Sequence, residues 1–502
     1  MQGTKAIQIC GTGSGVGKSV LVSALCRIFL QDGYQVAPFK AQNMALNSFV
    51  TADGGEIGRA QATQALACHI KPTVDMNPIL IKPASHTSAQ IILQGKPVKN
   101  MSVYEYKKYK QTAFSRVKQS FNRLKKDYEL LVIEGAGSPA EINLKSHDIV
   151  NLKIARLAQA PVILVGDIDK GGVFAWLIGT LELLTEKEKE MVKGFIINKF
   201  RGDKRLLAPG IRFLEKYTGK KVFGVIPYYR DINIPEEDSL SEEAEKAACP
   251  SAEKIDIGVI YLPHISNFND FDALAQEPDV GLRYIRGRAD LHAPDVLIIP
   301  GTKNTMEDLA YLKKSGLAAG ITAFFASQPR SILVGICGGY QMLGEAVYDG
   351  SHLESRHAGI KGLGILPVIT QLRQEKILSQ VQAKDLSSDT AVSGYEIHHG
   401  RSRVTRALQP VFEITRFKNE RAKRTDGVML ENQRCWGTYI HGIFDNDAFR
   451  RNFLNKLRTN KGWALLEKGA VYDVDEEIEK ISLLVRQNLD MDLLYKILNQ
   501  KT

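Results

Sequence analysis

Gly11-Thr12-Gly13-Ser14-Gly15-Val16-Gly17-Lys18-Ser19 constrains the fold of this chain more than any other stretch. It follows the apolar run Lys5-Ala6-Ile7-Gln8-Ile9-Cys10 and opens a helix-like segment, Lys18–Leu30. A glycine-rich turn between a strand and a helix is the setting of a phosphate-binding loop. The glycines let backbone N–H groups curl around phosphate oxygens, and the helix N-terminus adds its positive dipole. In that reading Thr12, Gly13, Gly15, Val16 and Gly17 line the nucleotide, Lys18 neutralises the β- and γ-phosphates, and Ser19 is a ligand to Mg²⁺. Five residues separate Gly11 from Gly17, one more than the common spacing.

Such a loop belongs to an α/β sheet, and the rest of the first 230 residues supplies one. Expected strands are Ala6–Gly11, Gln35–Phe39, Leu130–Glu134, Val162–Asp167, Gly194–Asn198 and Val222–Ile226, with helical runs such as Asp148–Gln159 between them. Residues 231–254, from Pro235-Glu236-Glu237-Asp238 to Cys249-Pro250, read as a linker. A second α/β pattern runs through Ile255–Leu262, Val296–Pro300 and Ser331–Ile336, then turns strand-rich after residue 350. We therefore expect two parallel-sheet α/β domains, 1–230 and 255–450, followed by a helical C-terminal tail, 451–502.

The remaining composition narrows the function. No stretch approaches the roughly 20 uninterrupted apolar residues of a membrane helix, and no cationic leader precedes the first strand. A cytoplasmic chain without membrane contact is expected. The net charge of +10 is dispersed rather than striped along one helix, which argues against nucleic acid and leaves either a solvated surface or a bias toward an anionic small molecule. The six cysteines form no C-x-x-C pair, and Cys10, Cys26 and Cys435 sit in apolar stretches as packing residues.

Cys337 differs from these. Ser331-Ile332-Leu333-Val334-Gly335-Ile336-Cys337-Gly338-Gly339-Tyr340-Gln341 reads as a buried strand, a glycine-flanked turn and a helix start, the geometry of a nucleophile elbow. The helix N-terminus favours the thiolate. The Gly338 N–H is the expected first oxyanion donor, and the loop Pro300-Gly301-Thr302-Lys303-Asn304 supplies the second, at Gly301. This stretch resembles the class I glutamine amidotransferases, and the likeness covers most of residues 255–450. It implies a flavodoxin-like glutaminase domain and places the general base and acid at His441, within Gly437-Thr438-Tyr439-Ile440-His441-Gly442-Ile443. That family carries Glu two residues after the His, where this chain has Ile443. Glu396, His398 and Asp445 are the candidates to orient the imidazole, and a dyad lacking the acid fits at least as well.

The long phosphate loop resembles the dethiobiotin synthetase branch of P-loop proteins, which activate carboxylates by phosphorylation. Glu134, in Val132-Ile133-Glu134-Gly135-Ala136-Gly137, matches that branch's Mg²⁺-binding acid. Asp167 and Asp169 also end a strand, as metal ligands, water-positioners or turn acids, and Asn198-Lys199 is placed either at the adenine or in a turn. Joined to a glutaminase without the third acid, this domain resembles the cobyric acid synthases and the cobyrinate a,c-diamide synthases. Phe39-Lys40-Ala41-Gln42-Asn43-Met44-Ala45-Leu46-Asn47-Ser48 and Glu56-Ile57-Gly58-Arg59-Ala60-Gln61 are similar to the cobyric acid synthase family over nearly the whole chain. The resemblance implies ATP, Mg²⁺ and glutamine acting on four peripheral carboxylates (b, d, e and g) of adenosylcobyrinic acid a,c-diamide, an anionic corrinoid. Lys40, Arg59 and Lys82 lie in stretches that could meet those carboxylates, though each alone also reads as a surface charge. The rival class is a partitioning-type ATPase scaffold fused to a retired glutaminase. Such ATPases carry a Lys at the position of Gly13, and Cys337 and His441 are intact here.

Overall fold

Lys5–Gly11 is buried from Ala6 onward and runs at the centre of a six-stranded sheet. A strand covered on both faces has no solvent side to alternate toward, so it reads as a continuous apolar run. Leu130–Glu134 and Val162–Asp167 flank it in parallel. The order continues to Val36–Phe39 on one side and to Val192–Phe200 and Lys221–Pro227 on the other, all parallel. Gly11, Glu134, Asp167 and Asn198 therefore gather at one edge, the carboxyl edge where α/β sheets take ligands. The computed structural model describes residues 4–83, 87–229, 232–235, 252–355 and 357–500. Most of the expected linker, 231–254, lies outside the described residues.

The second domain repeats the principle. Val280–Ile285, Ile255–Ile260, Val296–Ile299, Ile332–Ile336 and Cys435–Thr438 lie parallel in that order, and Val428–Met429 closes the edge in the antiparallel sense. Both expected parallel-sheet domains are present. Beside this core stands a largely antiparallel sheet built on Val368–Asp385 and Ala391–Val404. It ends in the two-residue strand Ile440–His441, registered against Tyr395 and Glu396.

The C-terminal helices divide between the two cores. Asp447–Asn460 buries Phe449, Phe453, Leu454 and Leu457 in the second domain. Val474–Asn488 and Met491–Asn499 return to the first, where Ile478, Ile481, Val485, Leu494, Ile497 and Leu498 join its core. Each such side chain is worth about 1.5–3 kcal/mol of burial, so these helices are structural parts of the P-loop domain. Arg27, buried on the Lys18–Gln31 helix, anchors Val474–Asn488 by pairing with Asp475 and with Glu479 at 2.9 Å.

A small hairpin, Ser48–Val50 with Glu56–Gly58, reaches from the first domain to the second. Val50 packs among Leu378, Tyr395 and Ile397. Beneath it Glu56 is fully buried and accepts from Lys82 at 3.0 Å, Ser48 at 3.0 Å and Lys376 at 2.6 Å. No described helix is long and apolar enough to cross a membrane.

Candidate functional site

The phosphate loop is built as its spacing requires. Gly17 takes φ of 91°, and a Cβ there would lie 2.3 Å from Asn198 Nδ2, so only glycine fits. Lys18 Nζ donates to Gly13 O at 2.8 Å, which keeps the ammonium inside the loop. Ser19 Oγ donates to Glu134 Oε1 at 2.8 Å. The same oxygen takes Lys40 Nζ at 2.8 Å, while Gln64 Nε2 reaches Glu134 Oε2 at 2.5 Å. Glu134 is fully buried, and its charge is met by these donors. Thr12 Oγ1 is buried with no hydrogen-bond partner among the described residues.

This donor set suits Mg²⁺. It offers hard oxygens from Ser19 and Glu134, and among the described residues no three His, Cys, Asp or Glu side chains form an all-protein metal cage. Mg²⁺ is ordinarily held by one or two protein oxygens, with phosphates and water completing the shell. The other acids at the edge are otherwise engaged. Asp167 Oδ1 accepts from Asp169 N at 2.9 Å, and Lys199 lies 3.0 Å from Asp167 Oδ2. Asp169 pairs with Arg201 at 2.7 Å. Asn198 Nδ2 donates to Val16 O at 2.9 Å and so braces the loop from below.

In the second domain Cys337 sits at the tip of Ile332–Ile336 with φ of 51° and ψ of −104°, a backbone conformation rare for a side-chain-bearing residue. The strain is held by close packing. A Cβ on Gly339 would fall 1.9 Å from Ile299 O, so the turn tolerates no side chain there. A Cβ on Gly338 would lie 3.1 Å from Thr302 N, which puts the elbow against the Gly301–Thr302 loop. Gly301 in turn faces the base, its would-be Cβ 2.8 Å from His441 Cε1. The structure thus brings Cys337, Gly338, Gly301 and His441 together. By contrast, burial pushes the Cys10 thiol up to about 12, as befits a packing residue.

The partner of His441 is a residue that the sequence reading missed. Asp270 Oδ2 lies 2.6 Å from His441 Nδ1, and Asp270 Oδ1 accepts from Gly442 N at 2.9 Å. Asp270 belongs to the short turn Phe268–Phe271, which follows the first strand of its domain. The Tyr395 ring stacks on the imidazole at 5.4 Å and 17°. Burial works to lower the His441 pKa, but the Asp270 carboxylate and the Cys337 thiol outweigh it and push the ring up to about 10.

Glu396, His398 and Asp445, the candidates offered by the sequence, are placed elsewhere. Glu396 is paired with Arg424 and lies 3.7 Å from His398 Nε2. His398 Nδ1 donates to Gly400 O at 2.8 Å, and the ring stacks on Tyr439. Asp445 lies 4.0 Å from Arg59, and burial raises its carboxyl to about 7. The imidazole has a carboxylate all the same, so the arrangement here is Cys337, His441 and Asp270 rather than a dyad. Of the three cations considered for substrate, Lys40 reaches the phosphate site, whereas Lys82 and Arg59 are turned into the domain interface.

A cleft of about 1970 Å³ joins the two domains. Lys18, Lys40, Glu134 and Met44 of the first domain line it together with Phe268 and Phe271 of the second, which belong to the turn carrying Asp270. Small-molecule pockets usually occupy about 300–1,000 Å³, so this cleft has room for a nucleotide and a second large ligand together.

A family model described as a CobQ/CobB/MinD/ParA nucleotide binding domain matches residues 7–241, and one described as a CobB/CobQ-like glutamine amidotransferase domain matches residues 256–449. A cobyric acid synthase of Dehalococcoides mccartyi strain CBDB1 is 49% identical over 505 residues, covering 99% of this chain and 99% of its own length. A cobyric acid synthase of Pelotomaculum thermopropionicum is 47% identical over 514 residues, covering 98% of this chain and 96% of its own. One from Clostridium botulinum strain 657 is 47% identical over 499 residues, covering 99% of each.

Proposed function

The chain belongs to the cobyric acid synthase family, glutamine-dependent amidating enzymes of cobalamin biosynthesis, and from that premise we propose how its residues divide the work. The substrate is an anionic corrinoid, adenosylcobyrinic acid a,c-diamide, whose b, d, e and g carboxylates become amides at the expense of one ATP and one glutamine each. The observation that carries this reading is the shared cleft, lined by the phosphate site of one domain and by the turn of the glutaminase acid from the other. A net charge of +10 favours the approach of a polycarboxylate.

In the glutaminase half, the Cys337 thiolate attacks the glutamine carboxamide carbon, and the N–H groups of Gly338 and Gly301 face the developing oxyanion. His441 delivers its Nε2 proton to the departing ammonia, while Asp270 holds Nδ1 and keeps the ring charged beforehand. Water then adds to the thioester with His441 as base, releasing glutamate and restoring the thiol.

In the synthetase half, a corrinoid carboxylate takes the γ-phosphoryl group of ATP and ADP leaves. Ammonia adds to the acyl phosphate, and inorganic phosphate departs as the amide forms. Without that leaving group, ammonia and a carboxylate in water simply rest as an ion pair. Lys18 and the loop N–H groups cradle the phosphates, and Lys40 stands beside Glu134 where negative charge accumulates. Mg²⁺, held through Ser19 and Glu134, would supply charge neutralisation at the transferring phosphoryl group.

Incubating the chain with ATP, Mg²⁺, glutamine and either the a,c-diamide or unamidated cobyrinic acid tests the assignment. Mass spectrometry should show four carboxyl-to-amide conversions of the a,c-diamide. Reaction confined to two carboxylates of cobyrinic acid would identify an a,c-diamide synthase instead. Cys337→Ala should lose glutamine-supported synthesis yet retain synthesis from ammonium chloride, because nucleophile and phosphate site lie in different domains.

A further inference from the structure

The Ser48–Gly58 hairpin lies between the two sites and touches neither reacting centre, yet its contacts converge on the glutaminase base. Asn47, just before it, accepts through Oδ1 from Phe268 N at 3.2 Å. Reciprocally, Asn267 Oδ1 accepts from Ser48 N at 3.1 Å. These two bonds cross the domain interface, and all four residues are buried or nearly so. Asn267 also receives Asp270 N on its own carbonyl at 3.0 Å, so the residue that grips the hairpin also starts the turn carrying Asp270.

The hairpin presses on the base from a second direction. Phe49 meets Tyr395 at 6.1 Å, and Tyr395 is the ring stacked on His441. On the synthetase side, the hairpin runs directly into the Arg59–Ala67 helix, whose Gln64 donates to Glu134. Phe268 and Phe271, on either side of Asp270, face the shared cleft.

We propose that Asn267 and Asn47 are positioning residues for glutamine hydrolysis: their reciprocal bonds latch the Asp270 turn to the synthetase domain, so that His441 is held in working orientation only while the two domains are docked. A carboxylate that must hold Nδ1 at 2.6 Å gains its precision from the turn beneath it, and that turn is held by the Ser48 backbone N–H of the other domain donating to Asn267 Oδ1. The latch also places the first glutaminase requirement under the control of the domain that consumes the ammonia. This inference rests on the assignment of Cys337, His441 and Asp270 above.

Asn267 allows a clean test, because its φ of 55° is left-handed and glycine adopts it freely. Asn267→Gly therefore removes the carboxamide while keeping the backbone path. Asn267→Asp keeps both the acceptor oxygen and tolerance of that conformation. We expect Asn267→Gly to lower kcat for ammonia release from glutamine by on the order of tenfold or more, as displaced catalytic groups do, with KM for glutamine within about twofold. The alkaline limb of its pH profile should move to lower pH, since a loosened Asp270 no longer holds the proton on His441. Asn267→Asp should restore most of the rate, and amide synthesis from ammonium chloride should match the parent in both variants. An unchanged kcat and pH profile in Asn267→Gly would overturn the proposal, as would an equal loss of ammonium-supported synthesis, which would mark a general folding role. Ammonia release is measured without ATP or corrinoid, so a wrong substrate assignment would leave this readout intact.

Discussion

Replacing Asp270 by Asn perturbs the glutaminase where the structure makes its strongest commitment. The side chain keeps its size but loses its charge, and the charge is what distinguishes His441 from an ordinary buried imidazole. An unperturbed histidine titrates near 6.5, whereas this ring is pushed up to about 10 by Asp270 and Cys337 acting against burial. That gap corresponds to about 5 kcal/mol of net preference for the protonated ring, what remains after Asp270 and Cys337 together have offset the cost of burial. A pKa raised on folding stabilises the fold fully below 6.5, and that contribution fades as pH climbs through about 10. Asp270→Asn should therefore lower Tm at neutral pH, with the deficit closing in strongly alkaline buffer. With the Asp270 charge gone, burial opposes the protonated ring and only Cys337 still favours it, so His441 holds the proton needed by the leaving ammonia less firmly. We expect kcat for glutamine hydrolysis to fall by on the order of 10² to 10⁴, the range seen when a base loses its orienting acid; the lower figure is about 2.7 kcal/mol of barrier. The assay is glutamate production in the absence of ATP and corrinoid, followed across pH, with Glu396→Gln as the control that should stay within roughly tenfold. An Asp270→Asn variant within that same tenfold, with its alkaline limb in place, would refute the assignment.

Lys18→Ala should abolish amide synthesis from glutamine and from ammonium chloride alike, because the carboxylate is no longer phosphorylated. Ammonia release from glutamine should persist in part, and normal synthesis would reduce Gly11–Ser19 to a structural turn. Glu56→Gln strands the buried ammonium groups of Lys82 and Lys376 at the domain interface, an error that typically costs about 3–5 kcal/mol. It should lower Tm by several degrees, and Lys376→Met in the same chain should recover part of the loss. Burial opposes the charge on Glu56, but the two lysines outweigh it and hold its carboxyl far below 4.5. The stabilisation it gives is therefore present above 4.5 and disappears as pH falls through the depressed value, so the parent should lose this interface in acid and the Gln variant should show no such step.

Much of the framework could be read directly from residue order. Leu130–Glu134 and Val162–Asp167 form strands over the residues their apolar runs delimit, because a parallel strand buried on both faces leaves an unbroken hydrophobic signature. The phosphate loop and the Cys337 elbow were legible for a related reason: each needs glycine where a Cβ has no room, and the glycines at 17 and 339 show why. The Ser48–Gly58 hairpin carried no such signal. Its strands are three residues long, too short for any period, and Val50 is apolar in order to cover the other domain. The last helices showed their periodicity but not their destination, since an apolar stripe such as Ile478, Ile481 and Val485 specifies that a face is buried without specifying against which core.

Asp270 shows where reasoning along the chain fails for a catalytic site. The resembling family places its acid two residues after the base, which points to Glu396, His398 and Asp445, near His441 or on the strand beside it. The imidazole imposes no such rule. It needs one carboxylate oxygen at Nδ1 and a reason for that carboxylate to stay put, and Gly442 N supplies the reason by taking the second oxygen at 2.9 Å. An acid 171 residues earlier satisfies both conditions as well as a neighbour would. Among 56 Asp and Glu residues, nothing in the composition singles it out. A usable sign was present in Asn267-Phe268-Asn269-Asp270-Phe271: an acid bracketed by aromatic residues is expensive to bury unless a charge awaits it. Its location also has a consequence that an acid beside His441 would lack. A Glu two residues past the base would be fixed wholly within the glutaminase domain, whereas Asp270 rides on a turn bounded by Asn267 and gripped by the synthetase hairpin. Supplying the acid from that turn makes glutamine hydrolysis answerable to the domain where its ammonia is used.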